Sequence, residues 1–276
     1  MKIWLLAIFF LISACSTNSL NSRLKKGNEL ILGANFSQKF YTFDNFEILA
    51  AYKLRNADII NIYIEGDGFA WASKNRISSN PTPKTPVSLE IANIDSLHNK
   101  SSSVAWIGRP CQYLNSLNCE NKYWTSHRFS NEVIVATNKI IDHLKNRSNS
   151  TKVNIIGFSG GAAIALLVAT LRDDINLVVT ISGNLDHEKV NKYHGVSLLS
   201  DSLNPIDYLD KLRNVSQKHF VGANDEIIPS DMVKEFDKNL SSKCSSVSII
   251  EKNNHVDGWT QFWKNNSRNI LNSKKC

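Results

Sequence analysis

Residues 153–171 constrain this chain more than any other stretch. Val153-Asn154-Ile155-Ile156 runs into Gly157-Phe158-Ser159-Gly160-Gly161, and an almost wholly apolar segment then continues to Leu171. A short β-branched run ending in glycines, then a long apolar run, reads as a buried strand, a sharp turn and a buried helix. A helix buried on all sides needs a sheet beneath it and a further layer above it. The unit therefore belongs to a layered α/β domain with a mostly parallel sheet.

The rest of the chain repeats that alternation. Residues 30–52 alternate apolar and polar side chains about Asp44-Asn45, the pattern of an antiparallel hairpin. Strands are expected at 57–64, 103–107, 153–156, 177–181, 218–221 and 247–250, and helices at 87–97, 132–144, 160–171, 231–240 and 258–271. Pro81, Pro83 and Pro86 mark an irregular connection, 111–130 a loop rich in Asn and aromatics, and 187–216 a modest cap. No repeat and no second composition shift divides the chain. The chain carries 32 Lys and Arg against 25 Asp and Glu, a net +7, but no basic run exceeds two residues. Nucleic acid is thus not an expected partner, since its footprint is a clustered basic face.

The N-terminus reads as a targeting segment. Met1-Lys2 precedes the apolar run Ile3–Ile12, too short to span a bilayer and suited to the core of a secretory signal. Leu11-Ile12-Ser13-Ala14-Cys15 resembles the bacterial lipobox, which implies cleavage before Cys15 and lipid on its sulfur. The expected division is 1–14 signal peptide, 15–28 lipidated N-terminus and tether, and 29–276 folded domain. By resemblance to Gram-negative lipoproteins, Ser16 after the cysteine favours the outer membrane, facing the periplasm. The other cysteines, Cys111, Cys119, Cys244 and Cys276, are even in number, and in an exported chain that suggests two disulfides. Three pairings are possible, and Cys111–Cys119 with Cys244–Cys276 is the simplest. With no CxxC pair and no His cluster, no metal is expected.

Gly157-Phe158-Ser159-Gly160-Gly161 matches G-x-S-x-G in the strand–turn–helix setting of a nucleophile elbow. The bland alternative is a Gly/Ser-rich turn or phosphate cradle. On these residues the chain resembles the α/β-hydrolase superfamily, over nearly its whole length after the leader. The resemblance implies an α/β-hydrolase fold: a mostly parallel central sheet with helices on both faces and an antiparallel N-terminal hairpin. It also implies triad members in the order Ser, acid, His. Gly222-Ala223-Asn224-Asp225-Glu226-Ile227-Ile228-Pro229 resembles the acid-bearing segment, making Asp225 the candidate acid ahead of Glu226 and Asp257. His255, just after the last strand, is the candidate base; His219, inside a strand, reads as a packed structural residue.

The N–H of Gly160 at the helix start is one candidate oxyanion donor. The second comes by resemblance from the loop after the third strand, Glu65-Gly66-Asp67-Gly68-Phe69, with Asp67 first and Gly68 next. Carboxylates beside a developing oxyanion are unfavourable. Either they turn away, the blander reading, or they bind a cationic part of the substrate. Aromatics between Arg109 and Thr125 either line a pocket or pack beneath a pinned loop. The functional expectation is a cell-envelope serine hydrolase. It would cleave ester bonds of a small-molecule or acyl substrate through a Ser159 acyl-enzyme, with no cofactor. Alternatives are a peptidase of prolyl-oligopeptidase-like type and a non-catalytic binding or assembly lipoprotein.

Overall fold

The computed structural model describes residues 11–114 and 119–272, with side chains described from residue 20. The N-terminal hairpin is β1 (Ser37–Phe43) and β2 (Phe46–Lys53), preceded by helix α1 (Leu11–Gly33). Next come β3 (Ile59–Ile64), the small β4 (Trp71–Ser73) and β5 (Arg76–Ile77), α2 (Val87–His98) and β6 (Ser103–Ile107). The second half runs α3 (Asn131–Arg147), β7 (Lys152–Phe158), α4 (Gly160–Ala169), β8 (Ile175–Ile181), α5 (His187–His194) and α6 (Leu209–Leu212). It closes with β9 (Gln217–Gly222), α7 (Ser230–Leu240), β10 (Ser245–Ile250) and α8 (Trp259–Leu271).

Eight strands form one sheet in the order β1-β2-β6-β3-β7-β8-β9-β10. β1 and β6 each pair antiparallel with β2, and from β6 to β10 every pairing is parallel. This is the expected fold class. Strand alternation sends neighbours to opposite faces. Ile62, Ile64 and Ile155 join the layer containing α3, α4 and α7. Tyr63 and Ile156 join the other layer, with Ile31 of α1, Ile91 of α2 and Trp259 and Trp263 of α8. Every residue of α4 is buried, which explains its lack of a polar face.

The largest difference from expectation is at the N-terminus. The stretch read as a tether is helical throughout, and from Arg23 onward it docks on the domain. Arg23 is buried and donates to the carbonyls of Asn80 and Thr82, Lys26 pairs with Glu90 at 2.8 Å, and Gly27 lies against the Tyr113 ring. The polar run Ser16–Ser19 reads as unstructured by composition; tertiary contacts just beyond it carry the helix. The β4–β5 hairpin was also not anticipated, being too short for a periodic signal.

The central close approach is at Gly161. A Cβ there would collide with the carbonyl oxygens of Ile64 and Glu65, at the end of β3. Gly161→Ala should therefore push α4 off the sheet. We expect a loss of more than about 2 kcal/mol in denaturant unfolding, the scale of overpacking a rigid interior. Stability within about 0.5 kcal/mol of the parent would contradict this packing.

Candidate active site

Three loops at the carboxyl ends of parallel strands meet over this contact, where sheets of this kind place their sites. After β7, Ser159 adopts φ 51° and ψ −120° at the entry to α4. A non-glycine residue with positive φ is strained and persists only where its surroundings enforce it. Here the Ser159 N–H donates to the Ile181 carbonyl at 2.9 Å, and the Asn184 N–H donates to the Ser159 carbonyl at 3.1 Å. The turn is held from β8 on one side and from the loop after β8 on the other.

β9 and β10 are neighbours, so the loops that follow them touch. The Asn224 N–H donates to the Asn253 carbonyl at 3.1 Å. Trp259 Nε1 donates to the carbonyls of Asn254 and His255, both at 3.1 Å, which fixes the backbone carrying the imidazole. His255 Nε2 lies 3.1 Å from Ser159 Oγ, and Nδ1 lies 3.0 and 2.9 Å from the two Asp225 oxygens. A carboxylate can only accept, so Nδ1 carries the proton and Nε2 accepts from the serine. Asp225 Oδ1 also accepts from the N–H groups of Ile227 and Ile228. Burial pushes the Asp225 carboxyl up, but the His255 contact and the Ile228 N–H outweigh it and hold it below its usual range. Glu226 is exposed, and Asp257 accepts from Asn254 Nδ2 at 2.8 Å. Of the three candidate acids, the fold brings Asp225 to His255. His219 is fully buried, 2.8 Å from Thr180 Oγ1, and burial lowers its pKa to about 4.

Gly160 is the first residue of α4, so its N–H lies outside the helix's own hydrogen-bond ladder. Against it stands Asp67: a Cβ on Gly160 would run into the Asp67 carboxylate. The reading that both carboxylates turn away therefore holds for Glu65 only. Asp67 faces the elbow and is neutralised by the protein's own cations. Arg109 Nη1 and Arg128 Nη1 each lie 2.9 Å from one of its oxygens. Burial opposes the charge, yet the two guanidiniums hold this carboxyl below its usual range. Gln112 Nε2 donates to the Gly66 carbonyl at 2.9 Å, and the Phe69 N–H donates to the Pro81 carbonyl at 2.9 Å. Gly68 takes φ 69°, and its missing Cβ leaves room for the Pro81 carbonyl. Asp67 thus stands beside Gly160 at the Ser159 turn, and Gly68 fits its loop against the 81–83 segment and Gln112.

Glu65 faces the interior. It accepts from the N–H groups of Gly66, Ser88 and Leu89 and from Trp106 Nε1, so it caps the start of α2. Desolvation nevertheless pushes its pKa up to about 7.

The stretch from Arg109 to Thr125, open between pocket lining and packing from sequence, packs and braces this loop where it is described. The Cys111–Cys119 disulfide closes it, flanking Gln112, while Tyr123 and Trp124 are buried, the latter donating to the Ser78 carbonyl. Cys244 is disulfide-bonded as well, and Cys276 lies outside the described residues. Cys15 falls within α1. Among the described residues no group of acidic, His or Cys side chains is placed to hold a metal. Sequence reasoning missed Arg128 and gave Arg109 no role. The usable signal was the unfavourable carboxylate at 67, which demanded cations from elsewhere in the chain.

A sequence model of the serine hydrolase (FSH1) family matches residues 81–256. No curated protein matches the chain in sequence. Among solved structures, the Pyrococcus furiosus esterase Pf2001 superposes with a TM-score of 0.62 at 15% identity, covering 87% of this chain and 92% of that one. Est1E from Butyrivibrio proteoclasticus gives 0.58 at 14%, covering 86% and 99%. The acylaminoacyl peptidase of Pyrococcus horikoshii gives 0.57 at 13%, covering 87% of this chain but 43% of the peptidase.

The buried Glu65 carboxyl generates a pH prediction. A carboxyl with a raised folded pKa binds more protons folded than unfolded between about 4.5 and 7. Stability should therefore fall as pH rises through that window and level off above it. The drop should be about 3 kcal/mol. Denaturant titrations across pH 4.5–8 should show this slope in the parent and its loss in Glu65→Gln; parallel profiles would contradict it.

Proposed function

The chain belongs to the serine hydrolase (FSH1) family, and on that premise we propose that it is an esterase acting through a Ser159 acyl-enzyme. The observation that carries the reading is the unbroken hydrogen-bond chain from Asp225 through His255 to Ser159, on a strained turn beside the first N–H of α4. His255 Nε2 takes the hydroxyl proton as Ser159 Oγ attacks the ester carbonyl. Asp225 stabilises the imidazolium and keeps the required tautomer. The N–H groups of Gly160 and Asp67 receive the oxyanion. His255 then returns the proton to the leaving alcohol, and water repeats the sequence to free the acid. No cofactor enters any step.

The ester reading is supported by likeness to two esterases covered almost end to end. The peptidase alternative has less behind it, because the chain spans under half of the peptidase it resembles. A non-catalytic scaffold would have no use for a strained serine aligned with an imidazole.

Export and lipidation at Cys15, with retention in the outer membrane facing the periplasm, remain part of the proposal. They rest on the apolar leader and the lipobox-like Leu11–Cys15. No helix among the described residues is long and apolar enough to cross a membrane.

Ser159→Ala should lower kcat on activated esters by about 10⁴–10⁶, and Asp225→Asn by about 10³–10⁴. Asp257→Asn and Glu226→Gln should cost less than about tenfold. Near-parental turnover by Ser159→Ala would sink the mechanism, while a crippled Asp257→Asn beside an active Asp225→Asn would reassign the acid. For the anchor, metabolic labelling with a fatty-acid analogue should mark the parent and not Cys15→Ser; equal labelling would refute lipidation at that residue.

A further inference from the structure

The loop beside the Ser159 turn carries cations on two of its residues, Asp67 and Phe69. Arg109 and Arg128 share the single carboxylate of Asp67. Two residues on, the Phe69 ring holds the Lys84 ammonium 4.4 Å from its centroid and the Arg23 guanidinium at 5.0 Å. The 81–84 segment carrying Lys84 is the one that fixes this loop, through the Phe69–Pro81 hydrogen bond. Glu65, the other carboxyl of the loop, is spent inside on four N–H donors. Two guanidiniums thus hold the one carboxylate that abuts Gly160, and two further cations lie on the Phe69 ring of the same loop.

Two of these cations have capacity left. Lys84 is exposed, and no carboxylate pairs with it among the described residues. Arg128 uses Nε on the Thr125 carbonyl and Nη1 on Asp67, while its Nη2 makes no hydrogen bond among the described residues. Arg109, by contrast, is buried, spending Nη1 on Asp67 and Nη2 on the Arg128 carbonyl. Its role is to hold the loop. Cations beside a cleft raise the local concentration of anionic substrate and strengthen its binding once water leaves. A neutral acyl chain would draw nothing from them.

Resting on the esterase reading above, we propose that the substrate is an ester that itself carries a carboxylate, which docks against Lys84 and Arg128 beside the scissile carbonyl. These two cations then select the substrate, in addition to any help they give the oxyanion.

The test compares matched chromogenic esters on the full-length protein. Mono-4-nitrophenyl adipate against 4-nitrophenyl hexanoate places the charge on the acyl side. The hexanoate of 5-hydroxy-2-nitrobenzoic acid against 4-nitrophenyl hexanoate places it on the alcohol side. At low salt, one anionic ester should exceed its neutral match by about tenfold or more in kcat/KM, and the margin should shrink at high salt. Lys84→Glu and Arg128→Gln should each cut that ratio at least fivefold, Lys84→Glu chiefly through KM. Arg128→Lys should restore part of it. The ratio cancels damage to machinery that both esters share. Turnover of the neutral ester with neither anionic ester preferred would overturn this inference and leave the esterase reading standing. So would variants that lower charged and neutral esters equally, which would confine the cations to bracing the loop or serving the oxyanion. No turnover of any ester, with no fluorophosphonate labelling of Ser159, would overturn the esterase reading and this inference with it.

Discussion

The contact between the backbone of β3 and the first turn of α4 sets the geometry of everything around it. Gly161 lets the Ile64 and Glu65 carbonyls approach the helix at a distance no side chain permits. That approach puts the end of β7 and the end of β3 side by side, so the turn at Ser159 and the loop at Asp67 grow out of one junction. A single close packing therefore delivers both the strained turn at Ser159 and the Asp67 loop that faces it. The interior is dense enough that a local change there is transmitted rather than absorbed.

A second constraint follows from charge. A carboxylate against the elbow would oppose any negative charge developing on the substrate unless it were matched. The chain meets this with guanidiniums from 109 and 128, so the loop following β6 and the segment before α3 both become part of the site. Buried ions of this kind add little net stability, since desolvation consumes most of the attraction. What they add is position: with both oxygens of Asp67 held by separate arginines, the loop has one orientation. Asp225 follows the same logic on the other side, where two backbone N–H groups and an imidazole fix one carboxylate.

Much of this was legible in the sequence, for identifiable reasons. Short β-branched runs separated by amphipathic or apolar helices force a parallel sheet, and strand-to-loop boundaries then point to Ser159, Asp225 and His255 as residues that share one end of it. Their convergence in the structure follows from topology, because β7, β9 and β10 all point the same way. Two things were not legible. The Asp67 clamp depends on side chains 42 and 61 residues away, which no local pattern reports. The helix through residues 15–28 has a composition that reads as loop, and its order comes from docking Arg23, Lys26 and Ile31 on a surface assembled by later residues.

That docked helix bears on how the cleft is presented. α1 is continuous from Leu11 to Gly33, and Arg23 binds the carbonyls of Asn80 and Thr82, in the same segment that supports the Asp67 loop. Arg23 lies eight residues along the helix from Cys15, an axial rise of about 12 Å. On the proposal that Cys15 carries lipid, the anchor is a short strut rather than a leash. Such a strut sets the height and tilt of the cleft above the bilayer, so the enzyme would meet substrates arriving from one direction at a nearly fixed distance from the lipid surface. Anchoring and access would then be a single mechanical property of α1.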